Sequence, residues 1–211
     1  MIIHQIYGLL DDGPMPELFT KLQKKVKAFA SKNNYQYKLW GKKDIENLAN
    51  KYPKYKSMIN NARYNIMKVD IGRFLILYDR GGLYMDLDVE PKISKLKDYD
   101  FALSTSSKGS KFNMEVVQGK KGNQLLLDYL DYVKEQIAEK SKMDIYKTRK
   151  GRFVLHTTGP YSLIRWVKKN KLKPETYNVN NSTNYNNKPV FNLTGNEDFL
   201  SYPSASWVGK D

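Results

Sequence analysis

Two aspartates separated by one leucine are the residues of this chain best suited to chemistry. Asp86 and Asp88 stand in Leu83–Val89, where the other residues are apolar or aromatic. If this run is a strand, the two carboxylates share one face, roughly 6.7 Å apart along the strand. Like charges placed this way repel, and Mn²⁺ or Mg²⁺, which prefers carboxylate oxygens, relieves the repulsion. The pattern indicates a metal site at Asp86 and Asp88; the alternative is a solvated strand edge with no bound ion.

A second charged pair, Asp70 and Arg73, lies three residues apart in a segment that reads as a helix. The two side chains are therefore neighbours on one helix face. On an exposed face such a pair contributes only about 0.3–0.5 kcal/mol. The surrounding residues are mostly apolar and place much of the helix in the core, so we expect this pair to point into a pocket.

The hydrophobic pattern predicts the elements that must position these residues. Strands are expected at 2–7, 35–40, 83–89, 100–105 and 115–118, and helices at 16–32, 44–49, 63–80, 123–140 and about 160–169. Asp44 is the expected N-cap of its helix, Gly81-Gly82 allows a sharp reversal before the aspartate strand, and His4 is expected to be a satisfied core histidine. Alternating strands and helices predict a single α/β domain over residues 1–211, with a mainly parallel sheet flanked by helices.

Composition restricts the possible functions. The chain of 211 residues contains no cysteine, which excludes disulfide scaffolds, zinc–thiolate sites and cysteine nucleophiles. Lys and Arg number 36 against 22 Asp and Glu, so the formal net charge is +14 and favours an anionic partner. We find neither an apolar run near the ~20 residues of a membrane span nor a basic leader with an apolar core. We therefore expect no membrane span and a cytoplasmic location.

Several short motifs occur in order along nearly the whole chain: Ile3–Gly8, Leu39-Trp40, Asp70–Tyr78, Gly81–Val89, Thr158-Gly159-Pro160 and Ser206-Trp207. With these motifs the chain resembles the DXD-containing glycosyltransferase family. That family includes yeast initiation-specific mannosyltransferases, bacterial capsule and lipooligosaccharide transferases, and the catalytic domains of glucosylating clostridial toxins. The lysine- and asparagine-rich composition also resembles glycosyltransferases of large algal viruses.

The resemblance implies a GT-A fold, a nucleotide-sugar donor with a UDP-sugar favoured, and Mn²⁺ or Mg²⁺ as cofactor. Asp88 matches the family's direct metal ligand. Asp86 matches the residue that reaches the ribose or sugar, and the metal directly or through water. Asp70 and Arg73 match the pair that holds the hydroxyls of the donor sugar, and Tyr7 falls where an aromatic ring lies against the nucleotide base.

Ser206 and Trp207 match the C-terminal lid that closes over the diphosphate. With Trp207, the candidate catalytic residues are Asp70, Arg73, Asp86 and Asp88. The segment around Ser206 lacks the histidine or acidic residue that often contacts the metal, so the third protein ligand is open between Ser206 and water. The implied reaction passes the sugar to a glycan or glycoprotein acceptor with retention of configuration and without an enzyme nucleophile.

Two other functions fit parts of the pattern. A metal-dependent phosphodiesterase or nuclease also uses D-x-D with high positive charge, but it requires more clustered acidic or histidine ligands. A nucleic-acid-binding module requires a basic stripe, whereas the lysines here read as scattered over helix exteriors. We therefore expect a metal-dependent glycosyltransferase with no nucleic-acid partner.

Overall fold

The computed structural model describes residues 1–10, 13–106, 112–182, 195 and 197–202. Its strands are β1 Ile2–Ile6, β2 Gln36–Trp40, β3 Gly82–Met85, β4 Val89–Pro91, β5 Phe101–Ser106, β6 Phe112–Gly119, β7 Glu175–Asn181 and β8 Phe199–Ser201. Its helices are α1 Glu17–Lys32, α2 Lys42–Asn50, α3 Pro53–Asn60, α4 Asn65–Arg80, α5 Gln124–Lys140, α6 Lys150–Thr157 and α7 Pro160–Lys169, with a 3₁₀ turn at Asp144–Tyr146. Across these helices, none combines the length and apolar character that a bilayer crossing requires.

The strands form one mixed sheet in the order β2-β1-β3-β6-β5-β7-β8-β4. Among the described strands, four of the seven pairings are parallel and three are antiparallel. Strand β1 runs parallel to both of its neighbours, β2 and β3, so the carboxyl ends of all three meet at one edge of the sheet. The predicted α/β class, with a mostly parallel sheet flanked by helices, is confirmed.

Helices cover both faces of the sheet because the strands alternate apolar side chains between the two sides. In β3, Leu83 and Met85 pack with Val26 of α1 on one face. Tyr84, between them in sequence, packs on the opposite face with the residues of α2, α3, α4, α5 and α7. The buried residues of β3 are thus packed against helices on both faces, and the sheet forms the middle of three layers.

Helix α4 is the most deeply buried helix of this structure. Its residues 69–77 are all buried, so it is not a surface helix with one apolar stripe. The ring of Phe74 lies 4.5 Å from that of Tyr129 on α5, centroid to centroid. Asp70 and Arg73 belong to this run and are therefore carried into the interior.

Two local predictions were wrong. The strand expected over 83–89 is interrupted: β3 ends at Met85, and Val89 N–H donates to the Asp86 carbonyl at 3.2 Å, which closes a turn through Asp88. Strand alternation therefore does not set the directions of the two aspartates. Asp44 is not an N-cap either, because α2 begins at Lys42 and the Asp44 carboxylate accepts from the N–H of the true cap, Gly41, at 3.0 Å.

The glycine pair between α4 and β3 is required by close backbone approach. Gly81 has φ 66° and caps α4. Gly82 has φ 106°, and a Cβ placed there would lie 2.3 Å from the carbonyl oxygen of Ile2 in β1. The pair therefore lets β3 run directly beside β1.

His4 is a structural residue, as the sequence predicted. Its Nδ1 accepts from Trp40 Nε1 at 3.1 Å, which leaves Nε2 to carry the proton and donate to the Gly81 carbonyl at 2.8 Å. Burial lowers the pKa of His4 to about 4. The neutral ring thus links β1, β2 and the glycine pair.

We predict that Gly82→Ala destabilises the fold far more than Gly122→Ala. Both glycines have positive φ, 106° and 74°, which costs a side chain about 1–2 kcal/mol. Only Gly82 would also press its Cβ into a backbone oxygen, whereas Gly122 has open space around it. We expect the free energy of unfolding in urea to fall by about 3 kcal/mol for Gly82→Ala and about 1 kcal/mol for Gly122→Ala. Equal losses would contradict the close packing of β3 on β1.

Candidate active site

A cavity of about 530 Å³ opens where β1 and β3 end. Tyr7 follows β1 and reaches it from one side; Asp86 and Asp88 follow β3 and reach it from the other. Asp70 and Arg73 line it from α4. Five residues predicted from the sequence therefore meet at one cavity, beyond the carboxyl ends of strands, where open α/β sheets bind ligands.

The turn from Asp86 through Asp88, here called the aspartate turn, is held by hydrogen bonds from distant parts of the chain. Asp86 N–H donates to the Glu115 carbonyl at 2.8 Å, and the Asp86 carbonyl accepts from Gln5 Nε2 at 3.2 Å. The Asp88 carbonyl accepts from the N–H of Tyr202, just after β8, at 2.7 Å. The predicted lid residues Ser206 and Trp207 lie outside the described residues.

The Asp86 side chain is held by two neighbours. The Tyr84 hydroxyl donates to Oδ1 at 2.7 Å, and Nη1 of Arg73 lies 3.5 Å from the same oxygen. The guanidinium also stacks over the Tyr84 ring, 4.7 Å from its centroid. Within the described part of the chain, Oδ2 accepts no hydrogen bond, and the side chain is 31% exposed. One carboxylate oxygen is thus positioned while the other remains available to a ligand.

Asp70 and Arg73 form a closed network under the cavity wall. Oδ1 of Asp70 accepts from Nη2 of Arg73 at 2.8 Å, and Oδ2 accepts from the Thr158 hydroxyl at 2.7 Å. Nη1 of Arg73 donates to the Met114 carbonyl at 2.6 Å. The pair lines the cavity as predicted but is only 5% and 3% exposed. Buried charges must be paired in this way, and Thr158, the first residue of the Thr-Gly-Pro motif, completes the pairing.

The two charged groups respond differently to this environment. Burial is the largest influence on Asp70 and raises its pKa, while Arg73 and Thr158 oppose the rise. Burial acts to lower the pKa of Arg73, but the charges around it, with Asp86 first, outweigh burial and raise the pKa. Arg73 therefore stays cationic, and its Nε has no hydrogen-bond partner in the described residues.

Glu115 is a cavity residue that the sequence analysis assigned only to a strand. Nδ2 of Asn113 donates to its Oε1 at 3.0 Å. Burial raises the pKa of Glu115 to about 7, with a further contribution from the negative charges of Asp86 and Asp88 and an opposing one from hydrogen bonds with Ser201 and Asn113. The sequence indicated this residue only by placing a charged side chain next to the apolar residues of a predicted strand. Its raised pKa thus reflects burial first and the neighbouring carboxylates second.

The acidic end of the cavity fits a divalent cation that is shared with a ligand. Asp86 and Asp88 are both partly exposed and offer hard oxygen donors. Among residues that the structure describes, no group of three or more His, Cys, Asp or Glu side chains is arranged to hold a metal by itself. Mg²⁺ is commonly bound by one or two carboxylates together with water and substrate phosphates, which matches this donor set.

The opposite wall of the cavity is apolar. It is formed by residues after β1, on α1, on α4 and around the start of α7, including Leu9, Leu18, Ile66, Leu155 and Pro160. The cavity therefore has a charged end that suits phosphate and metal and an apolar side that suits the less polar surface of a ligand.

Part of the chain is similar in sequence to known proteins. Residues 16–115 match the family model described as "Glycosyltransferase sugar-binding region containing DXD motif". Inositol phosphoceramide mannosyltransferase 3 of Schizosaccharomyces pombe is 35% identical over 89 residues, covering 42% of this chain and 24% of that protein. Inositol phosphoceramide mannosyltransferase 1 of the same yeast is 31% identical over 102 residues, covering 44% and 31%. The match thus spans less than a third of either relative.

Solved structures give the fold. The PaToxG glycosyltransferase superimposes with a TM-score of 0.55 at 17% identity, covering 80% of this chain and 69% of that chain. A glycosyltransferase involved in the glycosylation of the major capsid of PBCV-1 gives a TM-score of 0.44 at 9% identity, covering 96% and 92%. The predicted GT-A fold is confirmed by the first of these, and the resemblance read from the motifs is confirmed by the family match.

We predict that Glu115→Gln removes a pH-dependent loss of stability from the metal-free protein. The pKa of Glu115 is raised from 4.5 to about 7 in the folded state, so its stabilising contribution is complete below pH 4.5 and is lost as the pH rises through 7. By this linkage the wild type should lose up to about 3 kcal/mol relative to the variant between pH 4.5 and 8.

The measurement is urea unfolding at pH 5 and pH 8 with a chelator present. Glu46→Gln, at an exposed position on α2, is the matched control and should leave the pH dependence unchanged. Parallel pH profiles for the wild type and Glu115→Gln would show that folding does not raise the pKa of Glu115.

Proposed function

We propose that this chain, whose residues 16–115 match the family model of DXD-containing glycosyltransferases, is an enzyme that moves a sugar from a nucleotide-diphosphate sugar to an acceptor hydroxyl in a metal-dependent reaction. One observation carries the proposal: Tyr7, Asp70, Arg73, Asp86 and Asp88, the described residues that match the family pattern, line a single cavity. A cavity of about 530 Å³ is within the size range of small-molecule sites.

The aspartate turn would hold the cation and the donor's diphosphate. Asp88 is the proposed direct ligand, and Asp86 offers Oδ2 while Tyr84 and Arg73 hold its Oδ1 in place. When bound, Mn²⁺ or Mg²⁺ neutralises the charge that develops on the leaving diphosphate. Because three hydrogen bonds to its backbone groups hold the turn, its carboxylates need little rearrangement to bind the cation.

The buried network orients the donor sugar. Arg73 remains cationic, and its Nε is a buried donor without a partner in the described residues; an acceptor atom of the ligand would complete its hydrogen bonding only after a shift of the cavity wall. Both oxygens of Asp70 are already engaged, by Arg73 and Thr158. In this proposal Asp70 therefore holds Arg73 in position at least as much as it binds sugar hydroxyls directly.

Tyr7 would stack on the nucleotide base. Its hydroxyl donates to the Gly13 carbonyl at 2.9 Å, which fixes the ring at the cavity wall. A UDP-sugar donor and retention of configuration rest on the resemblance alone, as does the lid formed by Ser206 and Trp207. The cytoplasmic location likewise stays a prediction.

The acceptor is proposed to be a glycan, carried on protein or on lipid. The two yeast relatives are named for a phosphorylated ceramide, and the apolar wall of the cavity is compatible with a lipid-linked acceptor. The phosphodiesterase alternative is less favoured, because no cluster of three or more potential metal ligands exists within the described residues.

Asp88→Ala should leave the fold intact and remove metal-dependent transfer. Asp88 is partly exposed in a turn, so its loss costs little packing, whereas loss of a cation ligand should lower the transfer rate by about 100-fold or more. Transfer is measured as release of UDP from a panel of UDP-sugars with Mn²⁺. Asp98→Ala, at an exposed position on another loop, is the control. Undiminished Asp88→Ala activity in the presence of chelator would remove the metal from the mechanism.

Nucleotide preference can be tested without knowing the acceptor. UDP with Mn²⁺ should raise the melting temperature of the wild type, because a ligand that binds only the folded state stabilises it. UDP without the metal should have a smaller effect, and GDP with Mn²⁺ or duplex DNA should have none. Equal stabilisation by GDP would contradict the UDP preference, and stabilisation by DNA alone would contradict the proposed function.

A further inference from the structure

Most of the net charge of the chain comes from one segment. Residues 140–173 contain eleven Lys and Arg residues and a single acidic residue, Asp144, which gives a net +10 of the total +14. The basic residues are therefore concentrated in this segment. Within the described part of the chain, no carboxylate lies within ion-pair distance of Lys142, Arg149 or Arg152. The charges of these three side chains are therefore not neutralised by ion pairs, whereas Lys140 and Lys147 pair with Glu139 and Asp144.

The segment folds into a single surface rather than an extended strip. Nη2 of Arg165, on α7, donates to the His156 carbonyl, on α6, at 2.6 Å. Arg63, which precedes α4, donates through Nη1 to the Tyr146 carbonyl of the 3₁₀ turn at 3.2 Å and adds a further cation. The 3₁₀ turn, α6 and the start of α7 are thus held side by side.

The basic groups also influence one another through space. The pKa of His156 is lowered, first by burial and then by the positive charges of Arg165, Arg152 and Lys140. The side chains of Lys140, Arg152 and Arg165, on α5, α6 and α7, therefore lie near one imidazole.

The same surface exposes large apolar side chains. Five such side chains are exposed in the described residues, and three of them are here: Met143, Ile145 and Tyr161, at 44%, 49% and 43%. Met143 and Ile145 flank Asp144, with Lys142 immediately before them. Apolar residues projecting among lysines and arginines are typical of surfaces that insert shallowly into the headgroup region of a bilayer.

This surface adjoins the cavity. Helix α6 exposes Arg152 to solvent and turns Val154 and Leu155 toward the cavity. Pro160, the first residue of α7, lines the cavity, and the next residue, Tyr161, is exposed. A membrane contacted at this surface would lie beside the opening through which an acceptor enters.

We propose that this basic face, residues 142–152 with Arg63 and Tyr161, docks the chain on an anionic lipid bilayer and brings the cavity to acceptors held at that bilayer. Each Lys or Arg close to an anionic leaflet strengthens binding by about fivefold, and several are available here. The inserted apolar side chains add an attraction that does not depend on charge. The docking itself requires no catalytic activity, so it can be tested independently of the proposed transfer reaction.

The test is sedimentation of the full chain with phosphatidylcholine vesicles that contain about 30 mol% phosphatidylserine, and with vesicles of phosphatidylcholine alone. We expect binding to the anionic vesicles and little to the neutral ones. Arg149→Glu/Arg152→Glu should weaken binding at least about tenfold. Lys21→Glu/Lys24→Glu, which makes the same charge change at exposed positions of α1, is the control and should bind nearly as well as the wild type.

A second variant separates insertion from charge. Met143→Ser/Ile145→Ser keeps the net charge and should still weaken binding by about fivefold, because its effect is loss of apolar burial. It also keeps the proposal testable if the arginine variant fails to fold, which thermal melting would reveal.

Three results would overturn the proposal. They are equal binding to neutral and anionic vesicles, equal losses for the basic-face and α1 variants, and full binding by Met143→Ser/Ile145→Ser. Salt-dependent binding of the chain to RNA or DNA without vesicle binding would instead assign the basic face to nucleic acid.

Discussion

The buried guanidinium of Arg73 is the interaction on which the rest of the site depends. It bonds to Asp70 on its own helix, to the Met114 carbonyl of β6, and approaches Asp86 in the aspartate turn. A charge buried this deeply is stable only when every partner is in place, so helix α4, strand β6 and the turn must assemble together. The network therefore couples the core of the fold to the geometry of the cavity.

The carboxylates at the acidic end of the cavity carry the charge opposite to that of the Arg73 guanidinium. Arg73 pairs with Asp70 and approaches Asp86, while burial first, and then the charges of Asp86 and Asp88, raise the pKa of Glu115. An excess of carboxylate beside a cavity is costly unless a cation enters it. We therefore propose that a divalent ion accompanies the nucleotide-sugar donor in this cavity. The basic face lies outside the cavity and provides the opposite field for a different partner.

Much of this organisation was predictable from the sequence, because local periodicity fixes the helices and strands and the motifs identify Tyr7, Asp70, Arg73, Asp86 and Asp88. The turn at Asp86 was not, because strand alternation assumes that the chain stays extended, whereas the β3 ladder ends at Met85 and the chain turns back through Asp88. The bond from Thr158 to Asp70 joins residues 88 positions apart, and no local pattern encodes it. The position of Glu115 beside the cavity likewise depends on how distant elements pack.

In the proposed function, Asp86 and Asp88 bind a divalent cation together with a nucleotide diphosphate. Anomalous scattering from crystals grown with Mn²⁺ and UDP tests it most directly, because it locates the metal without assuming its ligands. We expect one strong manganese peak that is contacted by the Asp88 carboxylate and by the diphosphate, with Asp86 contacting the peak directly or through water. Bound UDP with no manganese at either aspartate, or manganese bound elsewhere, would contradict it.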